Sequence, residues 1–243
     1  MSSTIRLQAP GVRFVAHRGC SGLEKENTAS AFVAACNRSY FGIETDVHLT
    51  GDGQFILIHD ESTARVCRDD LPVETSRYEL LRSLRLPDVD GSYLRGDLIL
   101  PSLAEYAAIC HKYEKVSVLE LKNHFEPGDT ERVLQVLRDA GQLDHTLFIS
   151  FDLPNLICLR GLLPEHPIQY LLHEADEQTL EVMKTYRLDL DIRHTGLSPE
   201  LVRRVHAMGR LVNCWTVNTP ERGQEVVDMG VDFITTNILE GSI

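Results

Sequence analysis

Positive charge is in short supply in this sequence: 24 Lys and Arg stand against 36 Asp and Glu, a formal net charge of -12. Such an excess repels phosphate backbones and anionic lipid surfaces, so neither nucleic-acid binding nor stable membrane association is expected. It leaves the local field open, because an acidic chain can still present a basic pocket or a metal ion to an anionic substrate. Cysteine is sparse, with six residues scattered at 20, 36, 67, 110, 158 and 214 and no CxxC pair. That excludes the dense disulfide framework of a small secreted domain. Cys36 in AFVAACN and Cys110 in EYAAICH read as buried free thiols. No apolar run approaches the roughly 20 residues of a membrane span. The start, MSSTIRLQAPG, lacks the basic-then-apolar order of a signal peptide. Together these absences lead to the expectation of a reduced, cytoplasmic enzyme.

What is present is an ordinary globular composition, 43% hydrophobic and 25% charged, enough to bury a sizeable core. A chain of 243 residues can be one domain, since α/β barrels use about 250 residues as a single unit. Strand-like and helix-like segments alternate almost to the end. FVAHR precedes the helical NTASAFVAACNRSY; GIETDVHLT and FILIHD precede SLAEYAAICHKY, which opens on a Ser102–Glu105 capping-box pattern. VSVLELK, TLFISF, PIQYLL, LDLDIR, RLVNCWTVN and FITTN follow, each but the last with a helix after it. With FILIHD counted as an extension of the second strand region, the pattern predicts eight strands separated by seven helices: a TIM (β/α)8 barrel over residues 1–243. An eighth helix is missing, and the eleven residues before the first strand are expected to cover the bottom of the barrel. Residues 61–101 break the rhythm with one short helical pattern, SRYELLRSL, and a turn-rich PDVDG. An insertion there, at the same end as the polar clusters described next, would cover or border a site.

Three early apolar runs end in groups that carry charge or protons. His17 and Arg18 close FVAHRG, Glu44 and Asp46 lie in GIETDVHLT, and His59 and Asp60 end FILIHD. Period two puts Glu44 and Asp46 on one strand face, and likewise Glu120 and Lys122 in VSVLELK. In a barrel, an inward face near the C-terminal rim is the catalytic end. Glu44, Asp46 and Glu120 would then converge, and three carboxylates repel unless protonated or neutralised by a cation. Oxygen-only ligands favour a hard divalent ion, Ca2+ or Mg2+, with Mn2+ also compatible and Zn2+ ranked lower. Two imidazoles beside a phosphate can divide the proton work, one taking a proton from the nucleophile and one giving a proton to the leaving oxygen. Arg18 as a fork and Lys122 as a point charge would bind the non-bridging oxygens. Asp60 would orient His59 or a nearby loop. A lone His at a strand end is more often structural than catalytic; the coincidence at successive strand ends is what points to a site.

The segments HRG (17–19), ENT (26–28), ETDVHLTGDG (44–53), HD (59–60) and ELK (120–122), with VNCWTVN (212–218) and GVDFITTN (230–237), resemble the glycerophosphodiester phosphodiesterase family over nearly the whole chain. The resemblance implies a TIM barrel that hydrolyses glycerophosphodiesters to sn-glycerol 3-phosphate and an alcohol with a divalent metal. It makes His17 and His59 the acid–base pair, Glu44, Asp46 and Glu120 the metal ligands, and Arg18 and Lys122 the phosphate contacts. Trp215, the only tryptophan, would line the pocket against the glycerol unit. The substrate's own 2-hydroxyl would act as nucleophile through a cyclic phosphate, and the 61–101 insertion sits where the family carries a small subdomain. Two departures stand out. Lys25 precedes ENT where Pro is frequent, and the last strand runs Thr236, Asn237, Ile238 where Thr-Asp followed by Pro is frequent. Neither touches an expected metal ligand or acid–base residue.

Among the other residues, Phe151 is a weaker pocket candidate and His48 reads as loop-anchoring. His124 has no assigned role, and the histidines at 111, 145, 166, 173, 194 and 206 are expected at the surface. Two alternatives compete. A lipid phosphodiesterase of the lysophospholipase D type would want an exposed apolar rim. A catalytically silent phosphodiester-binding barrel would have lost a ligand or a His, and all five are present.

Overall fold

A computed structural model describes residues 3–242. In chain order the elements are β1 (Ile5–Leu7), β2 (Arg13–Ala16), α1 (Ala29–Cys36), β3 (Gly42–Leu49), β4 (Phe55–Leu57), α2 (Tyr78–Ser83), α3 (Leu103–Lys112) and β5 (Val116–Leu121). They continue with α4 (Pro127–Asp139), β6 (Thr146–Ser150), α5 (Leu153–Leu162), β7 (Ile168–Leu172), α6 (Glu177–Tyr186), β8 (Asp189–Arg193) and α7 (Pro199–Ala207). The last are β9 (Val212–Trp215), α8 (Pro220–Met229), β10 (Phe233–Thr236) and β11 (Leu239–Gly241). Strands β2, β3, β5, β6, β7, β8, β9 and β10 pair in parallel in that order, and β10 pairs back onto β2. These eight strands therefore close as the expected (β/α)8 barrel.

Period-two alternation sorts the side chains. Val15, Val118, Leu147, Ile149, Leu171 and Phe233 fill the interior, while Phe14, Ala16, Ile43, Leu119 and Phe148 join the larger core under the helices. The helices start where the sequence offers caps: Thr28, Asp152, Asp176, Ser198 and Thr219 each accept from a backbone N–H of the first turn. Ser102 and Glu105 complete their capping box at α3.

Three details differ from the expectation. FILIHD does not extend β3: its first residues form β4, which turns back and pairs antiparallel with β3, Val47 opposite Leu57. The chain end adds β11, which pairs with β1 in a parallel two-stranded ribbon. The ribbon lies against α8 and the outer face of β2, where the eighth helix would otherwise pack. Leu7 and Leu239 come so close to Gly223 of α8 that a Cβ there would meet Leu7 at 2.7 Å. Ile5–Leu7, expected among the residues that cover the bottom of the barrel, lie in this ribbon instead. At the N-terminal end of the barrel strands the rings of Phe41 and Phe233 meet edge to face, with the Arg13 guanidinium 5.2 and 4.9 Å from their centres.

The 61–101 segment carries the short helix α2, inside the expected helical pattern, and gathers a small core of its own. Val66, Val73, Leu81, Leu86 and Leu98 pack on Ile56 and Ile58 at the far side of β4. This anchors the insertion at the C-terminal end of the barrel, beside the loop that carries His59.

Candidate active site

The turn after β2 is built from two consecutive left-handed residues, Arg18 (φ 56) and Gly19 (φ 77). Gly19 is required there twice over, since a Cβ would also sit 2.6 Å from the Ala31 backbone. The turn aims the Arg18 backbone N–H at Glu44 Oε2, 2.8 Å away. It also places the Arg18 guanidinium between Glu26 Oε1 at 2.9 Å and Asp46 Oδ2 at 3.5 Å. Asn27, left-handed as well, is buried and donates from Nδ2 to Asp46 Oδ2 at 2.7 Å. The ENT triplet thus holds a carboxylate in place and caps α1 at once.

Register does the rest. Asp46 of β3 lies opposite Glu120 of β5, and Glu44, Asp46 and Glu120 each offer an oxygen within 4.8 Å of the others. All three are buried. Lys122 Nζ stands 2.8 Å from Glu120 Oε1 and 3.5 Å from Asp46 Oδ1. Burial, reinforced by the charges of Asp46 and Glu120, pushes the Glu44 carboxyl well above the usual carboxylate range. Burial and Asp46 also push Glu120 up, against Lys122. Asp46 stays low because Lys122, Arg18, His59 and the Asn27 hydrogen bond outweigh its burial. Three acids face two fixed cations, and Asp46 Oδ1 has no hydrogen bond among the described residues. A set of carboxylate oxygens short of positive charge fits a hard divalent cation.

The two imidazoles are held differently. His17 pairs through Nδ1 with Asn237 Oδ1 at 2.7 Å, and Ser21 Oγ donates to the same amide oxygen at 3.1 Å. Burial and the neighbouring Arg18 charge lower the His17 pKa to about 4. His59 Nδ1 donates to Asp60 Oδ1 at 2.6 Å. Asp60 is itself gripped by Arg65 Nε at 2.6 Å, whose other nitrogens fork onto Glu26 at 2.7 and 2.8 Å. Burial and Arg18 again pull His59 below its ordinary value, with Asp46 and Asp60 opposing. His48 is fully buried and donates from Nε2 to the His59 carbonyl at 3.3 Å, a loop anchor.

These groups share one cavity of about 390 Å³. His17, Arg18, Glu44, His59, Glu120 and Lys122 form one wall; Ile149, Phe151, Leu171, His173 and Trp215 form the other. Asp46 sits behind the first wall, fully buried. All eight residues singled out from the sequence are at this end of the barrel, and Phe151 joins them. His124 does not: it faces Asp152 at 3.4 Å, outside the cavity. His173 is exposed, as expected, yet it stands at the cavity mouth with its ring 5.2 Å from Phe151 and 5.5 Å from Trp215. The sequence reading assigns no role to Asn237, 220 residues from His17, to Arg65, which joins nearby Asp60 to Glu26 39 residues away, or to Asp191, which also lines the cavity. For Asp191 a signal existed: the alternation in LDLDIR points it inward.

The glycerophosphoryl diester phosphodiesterase family model matches residues 17–240. The chain is similar to the glycerophosphodiester phosphodiesterase of Bacillus altitudinis, 28% identical over 240 residues, covering 95% of this chain and 96% of that one. Among solved structures it is similar to a glycerophosphodiester phosphodiesterase from Parabacteroides distasonis, 27% identical with a TM-score of 0.78 and 93% of each chain covered. It is also similar in fold to an Oleispira antarctica phosphodiesterase solved with the product sn-glycerol-3-phosphate, at 23% identity and a TM-score of 0.82, covering 93% of this chain and 92% of that one.

Proposed function

The chain belongs to the glycerophosphoryl diester phosphodiesterase family, and from that premise we propose that it hydrolyses glycerophosphodiesters to sn-glycerol 3-phosphate and an alcohol, with Glu44, Asp46 and Glu120 holding one Ca2+ or Mg2+. The observation that carries the reading is a single cavity with three converging carboxylates, two cations and two imidazoles whose Nδ1 atoms are already engaged. The bound cation would neutralise the phosphodiester's negative charge and the charge that develops on its oxygens.

The chain's own groups divide the remaining work. Arg18 and Lys122 bind the non-bridging oxygens, Arg18 held in line by Glu26 and Lys122 by Glu120. His17 is the base: the Asn237 amide oxygen only accepts, so the ring proton sits on Nδ1 and Nε2 keeps its lone pair. Burial and the Arg18 charge keep that ring neutral at working pH. His59 is the acid that donates to the leaving alcohol oxygen: the Asp60 carboxylate holds Nδ1 and opposes the burial and Arg18 charge that lower its pKa. Trp215 and Phe151, edge to face with centres 5.7 Å apart, pack the carbon chain of the glycerol unit.

The test is a panel of glycerophosphodiesters with choline, ethanolamine, glycerol and inositol head groups, assayed for sn-glycerol 3-phosphate release with chelator or with each metal. Release that requires Ca2+ or Mg2+ supports the reading. No release from any member would overturn it, and turnover confined to lysophospholipids would move the assignment to a lipid phosphodiesterase.

A further inference from the structure

The wall opposite the charged cluster is apolar, and one carboxyl interrupts it. Asp191 of β8 lies level with Leu171 of β7 and Asn213 of β9. Alternation turns it inward, while Leu190 and Ile192 on either side pack under the helices. It is 1% exposed and lines the cavity. Among the described residues nothing hydrogen-bonds its side chain, and Oδ1 is buried without a partner.

The neighbouring polar groups do not explain it. Asn213 Nδ2 donates to Gln169 Oε1 at 3.1 Å and Thr235 Oγ1 donates to Asn213 Oδ1 at 3.2 Å, and none of these groups, nor the unpaired Gln169 Nε2, bonds Asp191. Packing does not require a carboxyl among Ile149, Leu171 and Trp215. Buried polar groups in folded proteins are almost always paired, so one left open toward a cavity marks the place of a ligand atom.

We propose that Asp191 is a specificity-determining residue of this cavity, receiving a free hydroxyl on the carbon chain of the substrate while the phosphate occupies the opposite wall. The inference rests on the hydrolase reading above. A hydroxyl fits this place: a carboxyl walled in by Ile149, Leu171 and Trp215 accepts its O–H, and phosphate held at the opposite wall leaves the carbon chain on this side.

The experiment measures competitive inhibition by sn-glycerol 3-phosphate, propyl phosphate and inorganic phosphate in the wild type, Asp191→Leu and Asp191→Ala. In the wild type, sn-glycerol 3-phosphate should bind about ten- to hundredfold more tightly than propyl phosphate, which lacks the hydroxyls. Both variants should bring that ratio close to one and change inhibition by inorganic phosphate by less than about twofold. If Asp191→Leu fails to fold, Asp191→Ala reads the same ratio. A ratio near one in the wild type, or one unchanged in the variants, would overturn the subsite while leaving the hydrolase reading intact. A wild type that releases no sn-glycerol 3-phosphate from glycerophosphodiesters would overturn both.

Discussion

His17 Nδ1 lies 2.7 Å from Asn237 Oδ1, a contact across 220 residues of chain that fixes which ring nitrogen carries the proton. The partner is neutral, unlike the Asp60 carboxylate on His59. The Asn237 oxygen supports the protonated ring, but burial and the Arg18 charge outweigh it and lower the His17 pKa. In the proposed mechanism that difference separates the two imidazoles into a base and an acid.

Asn237→Asp places a carboxylate on Nδ1 and so favours the imidazolium. His17 must be neutral to act as base, so activity is lost as pH falls through its pKa, about 4 in the free protein. The variant should move the acid limb of kcat/KM upward by about one pH unit. An unchanged limb in the pH–rate profile would refute the assignment of His17.

Replacing either imidazole should remove one proton transfer. His17→Ala and His59→Ala are each expected to lower kcat by roughly 10²–10⁴, with an unchanged circular dichroism spectrum. Near-normal turnover in one of them would remove that residue from the acid–base pair.

Arg65 ties the insertion to the site through Glu26 and Asp60. Burial pushes both acids up, but the Arg65 hydrogen bonds outweigh it and bring each to about 2, from ordinary values of 4.5 and 3.8. Depressed carboxylates add stability that is complete above about pH 4.5 and disappears as pH falls through about 2. Arg65→Met should therefore unfold at lower urea than the wild type at pH 7, with the gap closing toward pH 2. Losing the Asp60 anchor should also cost roughly two- to tenfold in kcat. A constant urea gap across that pH window contradicts the linkage.

The carboxylate cluster predicts complete loss of activity in EDTA and recovery on adding Ca2+ or Mg2+. Glu44→Gln should raise the metal concentration for half-maximal activity by at least about tenfold. In chelator the same variant should melt no lower than the wild type, because it removes one of three crowded acids. Full activity in chelator would sink the metal assignment.

Much of this site is legible along the chain because its signals are local. Alternation alone aligns Glu44 with Asp46 and Glu120 with Lys122, and the helix caps stand at the starts of the helical patterns. The ribbon of β1 and β11 is not legible, since three-residue strands have no period to detect and their partners are at opposite ends of the chain. The same holds for Asn237 on His17 and for Arg65 on Glu26, 39 residues away: neither residue type announces a contact that only the folded chain creates. His173 looked like one more surface histidine because nothing local says that β7 ends beside Phe151 and Trp215.

The order of the eight barrel strands and the residues that end them follow from the chain alone, because backbone periodicity depends on near neighbours. Tertiary structure alone decided that the barrel closes β10 onto β2 and that Asp46 meets Glu120. It also decided that Asn237 meets His17, and that Asp191 faces the cavity with no partner among the described residues. Hydrogen bonds and desolvation act over a few ångströms, and only closure brings residues so distant in sequence within that range.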